Sequence, residues 1–108
     1  MSSRKTTHHP IAKRLRQARI AAGLSQQAVG MRAGFDPSVA GVRVNQYERQ
    51  RHQPAFAIVR KLAQAVKRPA PYFYAVDDSL AELIEVYGAL SVAQRGKLLA
   101  AAHKLAVD

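Results

Sequence analysis

Two glycines, eleven residues apart, constrain the fold of this chain more than any other feature. An apolar pattern at helical spacing precedes Gly23, and a second one precedes Gly34. Because glycine adopts a left-handed backbone conformation without steric cost, each is expected to end a helix. Ser25, which follows the first glycine by two residues, is a typical N-cap for the second helix. The pattern therefore predicts two short helices joined by a tight turn.

The residues around these glycines separate into an apolar and a polar face. In the second helix, Val29 and Ala33 are expected to point inward. Gly30 lies in the middle of this helix, where glycine costs up to about 1 kcal/mol relative to alanine, so we expect a close helix crossing there. In the first helix, the apolar positions are Ile11, Leu15, Ala18 and Ala22, and the opposite face carries Lys13, Arg14, Arg16 and Gln17.

The segment after the second glycine allows two interpretations. Asp36 followed by Pro37 is a typical N-cap and first helical residue, so a turn of helix is expected to begin at Pro37. Gly41 would interrupt this turn, and a helix can run over residues 42–49. Either the turn before that helix is enlarged by residues 36–40, or the helix starts at Pro37 and is kinked at Gly41.

Two further helices are expected to complete the core. Pro54 is predicted to open a fourth helix, Pro69 and Pro71 to end it, and Tyr72 and Phe73 to begin a short fifth helix that covers the core. The inward positions are expected to be Val44 and Tyr47 of the third helix, and Phe56, Val59, Leu62, Ala63 and Val66 of the fourth.

Residues 77–108 have a different pattern and form a predicted C-terminal helical extension. Ser91 and Gln94 make a capping box that opens the last helix. Because an apolar stripe on a terminal helix must be buried on its own domain or on a second copy, we expect this extension to dimerise. Its apolar positions are Leu80, Leu83, Ile84 and Tyr87 in one helix, and Leu98, Leu99, Ala102 and Leu105 in the other.

Charge divides the 108-residue chain at the same place. Residues 1–76 hold fourteen Lys or Arg against two acids, a net +12, whereas residues 77–108 have a net charge of −2. A basic field of this kind attracts polyanions and supplies affinity for phosphates. The first nine residues are polar and aperiodic and are predicted to be a disordered basic arm.

Composition also excludes several classes of protein. Cysteine is absent, so no disulfide framework, thiol nucleophile or cysteine zinc site can form. The four histidines are scattered without the spacing of a metal or acid–base site, and no phosphate-binding glycine loop is present. We therefore expect no enzyme activity, no cofactor and no metal. With no long apolar run, we also expect no membrane association and a cytoplasmic location.

One set of residues resembles the lambda-repressor-like helix-turn-helix family, the Cro/repressor or Xre type, across residues 11–74. The resemblance implies an all-α fold: a five-helix domain over residues 10–76, here followed by the two-helix extension. It also implies a sequence-specific DNA-binding transcription regulator, usually dimeric. The shared residues are Arg19, Gly23, Leu24, Ser25, Gln26, Val29, Gly34, Val44, Tyr47, Glu48, Pro54, Leu62, Ala63 and Val66.

The resemblance also implies roles for individual residues. Gln26 is similar to the family's phosphate-contacting glutamine, and Gln27 is assigned with it. Arg19 and Glu48 are similar to a structural ion pair of the family. Base contacts are predicted for residues able to form paired hydrogen bonds, Arg43, Asn45 and Gln46, and phosphate contacts for Arg49, Arg51 and His52 beyond the helix.

The chain departs from the family pattern in one place and leaves one alternative open. Twelve residues separate Gly34 from Tyr47, where the common form has about eight. The extra residues fall just before the segment expected to select the DNA sequence. The leading hypothesis is a dimeric repressor. The alternative is an antitoxin or adaptor that binds a partner protein, such as a toxin, through its C-terminal helices and represses its own operon.

Overall fold

Helices joined by turns and short loops build residues 10–107, the part of the chain that the computed structural model describes. The predicted arm over residues 1–9 lies outside the described residues. Within the described range no strand occurs, which confirms the all-α prediction. The elements are α1 (Ile11–Ala21), α2 (Gln26–Arg32), α3 (Ala40–Glu48), α4 (Phe56–Val66), a 3₁₀ helix (Ala70–Tyr74), α5 (Asp78–Ala89) and α6 (Val92–Val107).

Both predicted glycine ends are confirmed. Gly23 and Gly34 have φ values of +69° and +90°. The N–H of the residue after each glycine donates back to the carbonyl five residues earlier, at 3.1 Å from Leu24 and 2.9 Å from Phe35. Ser25 caps α2, because its Oγ accepts a 3.0 Å hydrogen bond from the N–H of Ala28. These are the bonds of the Schellman motif and of an N-cap.

The same C-terminal motif ends α3 and α4 without glycine. Gln50 and Lys67 have φ values of +60° and +58°. Arg68 then donates its backbone N–H to the carbonyl of Ala63 at 3.0 Å. The prediction that two prolines end α4 is therefore wrong, since the left-handed residue 67 ends it first. Pro69 instead precedes the 3₁₀ helix, which is the predicted fifth helix.

An enlarged turn joins α2 to α3, which decides between the two interpretations. The Asp36 carboxylate accepts a 3.0 Å hydrogen bond from the N–H of Ser38 and a further one from its hydroxyl. Val39 then has a non-helical backbone, and α3 begins at Ala40. The expected single turn at Pro37 is present, with Asp36 as its cap, and the alternative in which the third helix itself starts at Pro37 is wrong. Gly41 lies inside the first turn of α3 and does not interrupt it.

The core lies among α1–α4 and the 3₁₀ helix. The expected close crossing at Gly30 is confirmed, because a Cβ at that position would lie 2.6 Å from the carbonyl oxygen of Ala40. Side chains with no exposed surface come from every one of these elements: Leu15, Val29, Val44, Leu62 and Phe73.

Three side-chain assignments are corrected. Arg14, which was placed on the polar face of α1, is only 2% exposed. Phe56, which was placed on the core stripe of α4, is 58% exposed. It is the first residue of α4, which there extends past the core, and its ring lies 6.4 Å from that of Tyr74. Ala22 is also exposed, at the C-cap of α1.

The extension packs on the rest of the chain mainly through α5. Ala81 is the one buried residue of α5, and α6 has none. The predicted capping box is confirmed, because Ser91 donates its N–H to Gln94 Oε1 at 2.9 Å and accepts from the N–H of Gln94 at 3.2 Å. No helix within residues 10–107 is both long and apolar enough to cross a membrane.

Candidate nucleic-acid interface

A bidentate ion pair holds the end of α3 against α1. Arg19 donates to Glu48 through Nε at 2.6 Å and through Nη2 at 3.0 Å. Its Nη1 donates to the carbonyl of Leu24, in the turn before α2. The hydrogen bond to Glu48 raises the pKa of Arg19. The Glu48 side chain is only 3% exposed, so this carboxylate is neutralised inside the protein and does not face a polyanion.

The first residue of α2 joins the same network. Gln26 donates from Nε2 to Glu48 Oε1 at 3.1 Å and accepts at Oε1 from Asn45 Nδ2 at 3.2 Å. A predicted phosphate contact and a predicted base contact are therefore hydrogen-bonded to each other. The network fixes the N-terminus of α2 against the middle of α3. Within residues 10–107, the second N–H of each amide and the Oδ1 of Asn45 make no hydrogen bond, so they can bond a ligand.

Gln27 makes a different kind of contact from its neighbour. Its Nε2 donates to the carbonyl of Pro37 at 3.0 Å, and its Oε1 accepts from the N–H of Gly41 at 2.9 Å. The amide of Gln27 thus bridges the enlarged turn, from Pro37 in that turn to Gly41 in the first turn of α3. A phosphate contact by the same atoms would compete with these two bonds.

Arg43 lies on an aromatic surface. Its guanidinium carbon is 3.9 Å from the ring centre of Phe35, and Nη2 donates to the hydroxyl of Tyr47 at 3.0 Å. Such a stacked cation is held by about 0.5–2 kcal/mol. The predicted base contact by Arg43 would therefore either use the remaining N–H groups or give up this stacking.

The other predicted DNA contacts are available on the surface. Gln46 is half-buried on α3, and no residue within 10–107 hydrogen-bonds its side-chain amide. Arg49, Arg51 and His52 are exposed at and beyond the end of α3. The structure thus brings one unpaired amide, two cations and an imidazole to the same end of the helix.

One residue that organises this half of the molecule was missed by sequence reasoning. Arg14 donates from Nε to the carbonyl of Ala75 at 2.9 Å, from Nη2 to that of Val76 at 3.1 Å, and from Nη1 to Asp78 at 2.9 Å. It joins α1 to the start of the extension. A signal was present, because Arg14 lies three residues after Ile11 and four before Ala18, on the apolar stripe of α1.

Comparison with known proteins agrees with this architecture. The chain matches the helix-turn-helix domain family over residues 10–71. Comparison with curated proteins gave no match. Among solved structures, the crystal structure of the transcriptional regulator BswR is similar, with a TM-score of 0.79 and 39% sequence identity over 86% of this chain and 92% of that chain. The family match extends from α1 into the 3₁₀ helix, and the chain therefore belongs to the helix-turn-helix domain family.

Proposed function

We propose that this protein is a sequence-specific DNA-binding transcription regulator in which α3 lies in the major groove. The observation that carries the proposal is the outward face of α3, where Gln46 is unpaired and Arg49 is exposed. Glutamine can form paired hydrogen bonds with adenine, and arginine can hold a phosphate. The structural neighbour BswR, a transcriptional regulator, supports the same class of function.

The charge distribution supports duplex DNA as the partner. Residues 1–76, which contain α3, carry a net +12. Of their two acids, Glu48 is buried against Arg19, and Asp36 accepts a hydrogen bond from the N–H of Ser38. Arg51 and His52 extend the basic surface past the end of α3. We therefore assign phosphate contacts to Arg49, Arg51 and His52, and a supporting role to the Arg19–Glu48 pair.

Selection of binding sites from random duplex DNA tests this proposal. We expect one sequence to be enriched and its affinity to fall with salt, with a log–log slope of about −0.9 for each phosphate contact. Gln46→Ala should weaken binding to the selected site more than to random DNA, whereas Arg51→Ala should weaken both alike and reduce the slope by about 1. No enrichment over random DNA would overturn the proposal.

We further propose that the protein acts as a homodimer through α5 and α6. An apolar groove of about 350 Å³ lies between these helices and the two prolines at the start of the 3₁₀ helix, Pro69 and Pro71. Leu83 and Leu99 line it and remain 49% and 57% exposed, an exposure typical of a surface that a second chain covers. A dimer of this kind would bind two half-sites about 34 Å apart, one turn of DNA.

The solution mass tests the dimer and its alternative together. We expect the unmodified protein to have the mass of two chains and the Leu83→Glu variant to have the mass of one chain. Glu82→Ala is the matched control, because Glu82 lies next to Leu83 but outside the apolar groove. A single-chain mass for the unmodified protein would overturn the dimer. If the groove held a co-purifying protein instead, the antitoxin or adaptor alternative would replace it.

Repression is the proposed outcome of binding. A dimer bound at a promoter would exclude polymerase, and footprinting upstream of the protein's own gene would locate such a site. Transcription from that promoter in vitro should fall as the protein is added, and an increase would show activation instead.

A further inference from the structure

Two exposed valines stand at the start of the DNA-facing side of α3. Val42, in the first turn of α3, is 60% exposed, and Val39, the residue before the helix, is 41% exposed. Val44 of the same helix has no exposed surface and faces the core. The two exposed valines therefore lie away from the core, and the packing of the core does not explain why they are apolar. The two valines form an apolar patch on the basic half of the chain.

The patch continues directly into the proposed DNA contacts. Residues three and four apart lie on one side of a helix, so Val42, Gln46 and Arg49 follow one another along a single row, and Val39 directly precedes the helix. Along this row the chemistry changes from apolar to amide to cation. The apolar end therefore faces the same ligand as Gln46 and Arg49.

The chemistry of the major groove offers one apolar group at the base edges, the 5-methyl of thymine. We propose that Val42 contacts a thymine methyl in each half-site, with Val39 beside it, and so selects thymine at one position. This inference rests on the proposed binding of α3 in the major groove. Cytosine at the same place presents no methyl, and its amino group would be left without an acceptor against the valine.

The structure holds Val42 rigidly enough for such a contact. The amide of Gln27 bonds the carbonyl of Pro37 and the N–H of Gly41, which lie on either side of Val39 and directly before Val42. The valine side chain itself is branched at Cβ and has few rotamers to lose. Gln27 is therefore a positioning residue for the apolar patch, which accounts for the use of both ends of its amide within the protein.

Replacement of thymine by deoxyuridine, which removes only the methyl group, tests the contact. Each thymine of the selected site is replaced in turn. For the unmodified protein, we expect one position per half-site at which affinity falls roughly threefold to tenfold, the effect of about one lost apolar group. The affinity of Val42→Ala for the thymine site should be lower by a similar factor. Replacing that thymine by deoxyuridine should lower the affinity of this variant no further.

A matched control separates this contact from general effects. Val92→Ala, at an exposed position of α6 that does not line the apolar groove, should bind both sites as the unmodified protein does. If a site is selected but the unmodified protein and Val42→Ala respond alike to every deoxyuridine, the thymine contact is overturned while the DNA-binding function stands. If no site is selected, the proposed function fails and this inference fails with it.

Discussion

The helix-turn-helix half and the C-terminal extension differ in how their apolar surface is covered. In the first, each of α1–α4 contributes side chains that are fully buried within the same chain. In the second, α5 buries Ala81 alone and α6 buries nothing. The basic half therefore contains its own core, whereas the extension presents an apolar surface. We infer that mutations in the two halves will act on different properties, folding in one and assembly in the other.

Leucine truncations should give the largest contrast between the halves. Leu62→Ala leaves a cavity in a fully buried site and should lower the free energy of unfolding by about 2–5 kcal/mol. Leu99→Ala, at a residue 57% exposed within one chain, should leave monomer stability nearly unchanged and shift the mass toward one chain at low concentration. Thermal unfolding and light scattering measure the two effects. Equal destabilisation of dilute monomer by both changes would contradict the contrast.

The junction between the halves should be the next most sensitive place. Arg14→Met removes the donors that satisfy the carbonyls of Ala75 and Val76, and should cost about 2–3 kcal/mol of stability. Lys13→Met is the matched control, because Lys13 contacts the same Asp78 from an exposed position and should matter much less. Denaturant titration compares the two variants. A larger loss for the lysine variant would show that the surface pair, and not the buried guanidinium, holds the junction.

The helix ends within the basic half offer a paired test of smaller size. Gly23→Ala places a Cβ on a residue with φ +69° and should cost about 1 kcal/mol, although nothing lies within 4 Å of that atom. Lys67→Gly removes the same strain at φ +58° and should stabilise by up to about 1 kcal/mol. Both changes are measured as shifts in Tm. A loss of stability in Lys67→Gly would mean that the lysine side chain contributes more than its backbone costs.

The smallest expected effect is the pH dependence of the junction. Hydrogen bonds from Lys13 and Arg14 hold the pKa of Asp78 below its ordinary value. Its contribution to stability is therefore complete above the unfolded-state pKa of about 3.9, and is lost as the pH falls through the lowered pKa of the folded state. The Tm difference between the unmodified protein and Asp78→Asn should shrink below about pH 4. A constant difference down to pH 2 would contradict this origin.

Local backbone chemistry explains what the sequence could predict. Gly23, Ser25 and Gly34 act on their immediate neighbours, so the ends of α1 and α2 follow from the residues alone. The left-handed residues Gln50 and Lys67 could not be recognised, because neither is a residue type that favours this conformation. Helix ends formed by glycine are visible in a sequence, and those formed by other residue types are not.

The residue types of the candidate site could be predicted from the sequence, but their contacts within the protein could not. Gln46 is half-buried on α3 and Arg49 is exposed at its C-cap, and their DNA contacts remain predictions. Gln27 and Arg43 carry suitable groups too, yet the first spans the enlarged turn and the second stacks on Phe35. These partners lie eight to fourteen residues away in the chain and depend on how the enlarged turn folds, which residue types alone do not determine.

The buried guanidinium of Arg14 also decides where this chain can be divided. The change in charge falls after residue 76, and a fragment ending there would keep the carbonyls of Ala75 and Val76 but lose the carboxylate of Asp78. It would also lose Ala81, which belongs to the core of the first half. An autonomous DNA-binding fragment therefore has to include the first turn of α5, so the electrostatic boundary of this protein precedes its folding boundary by about one helical turn.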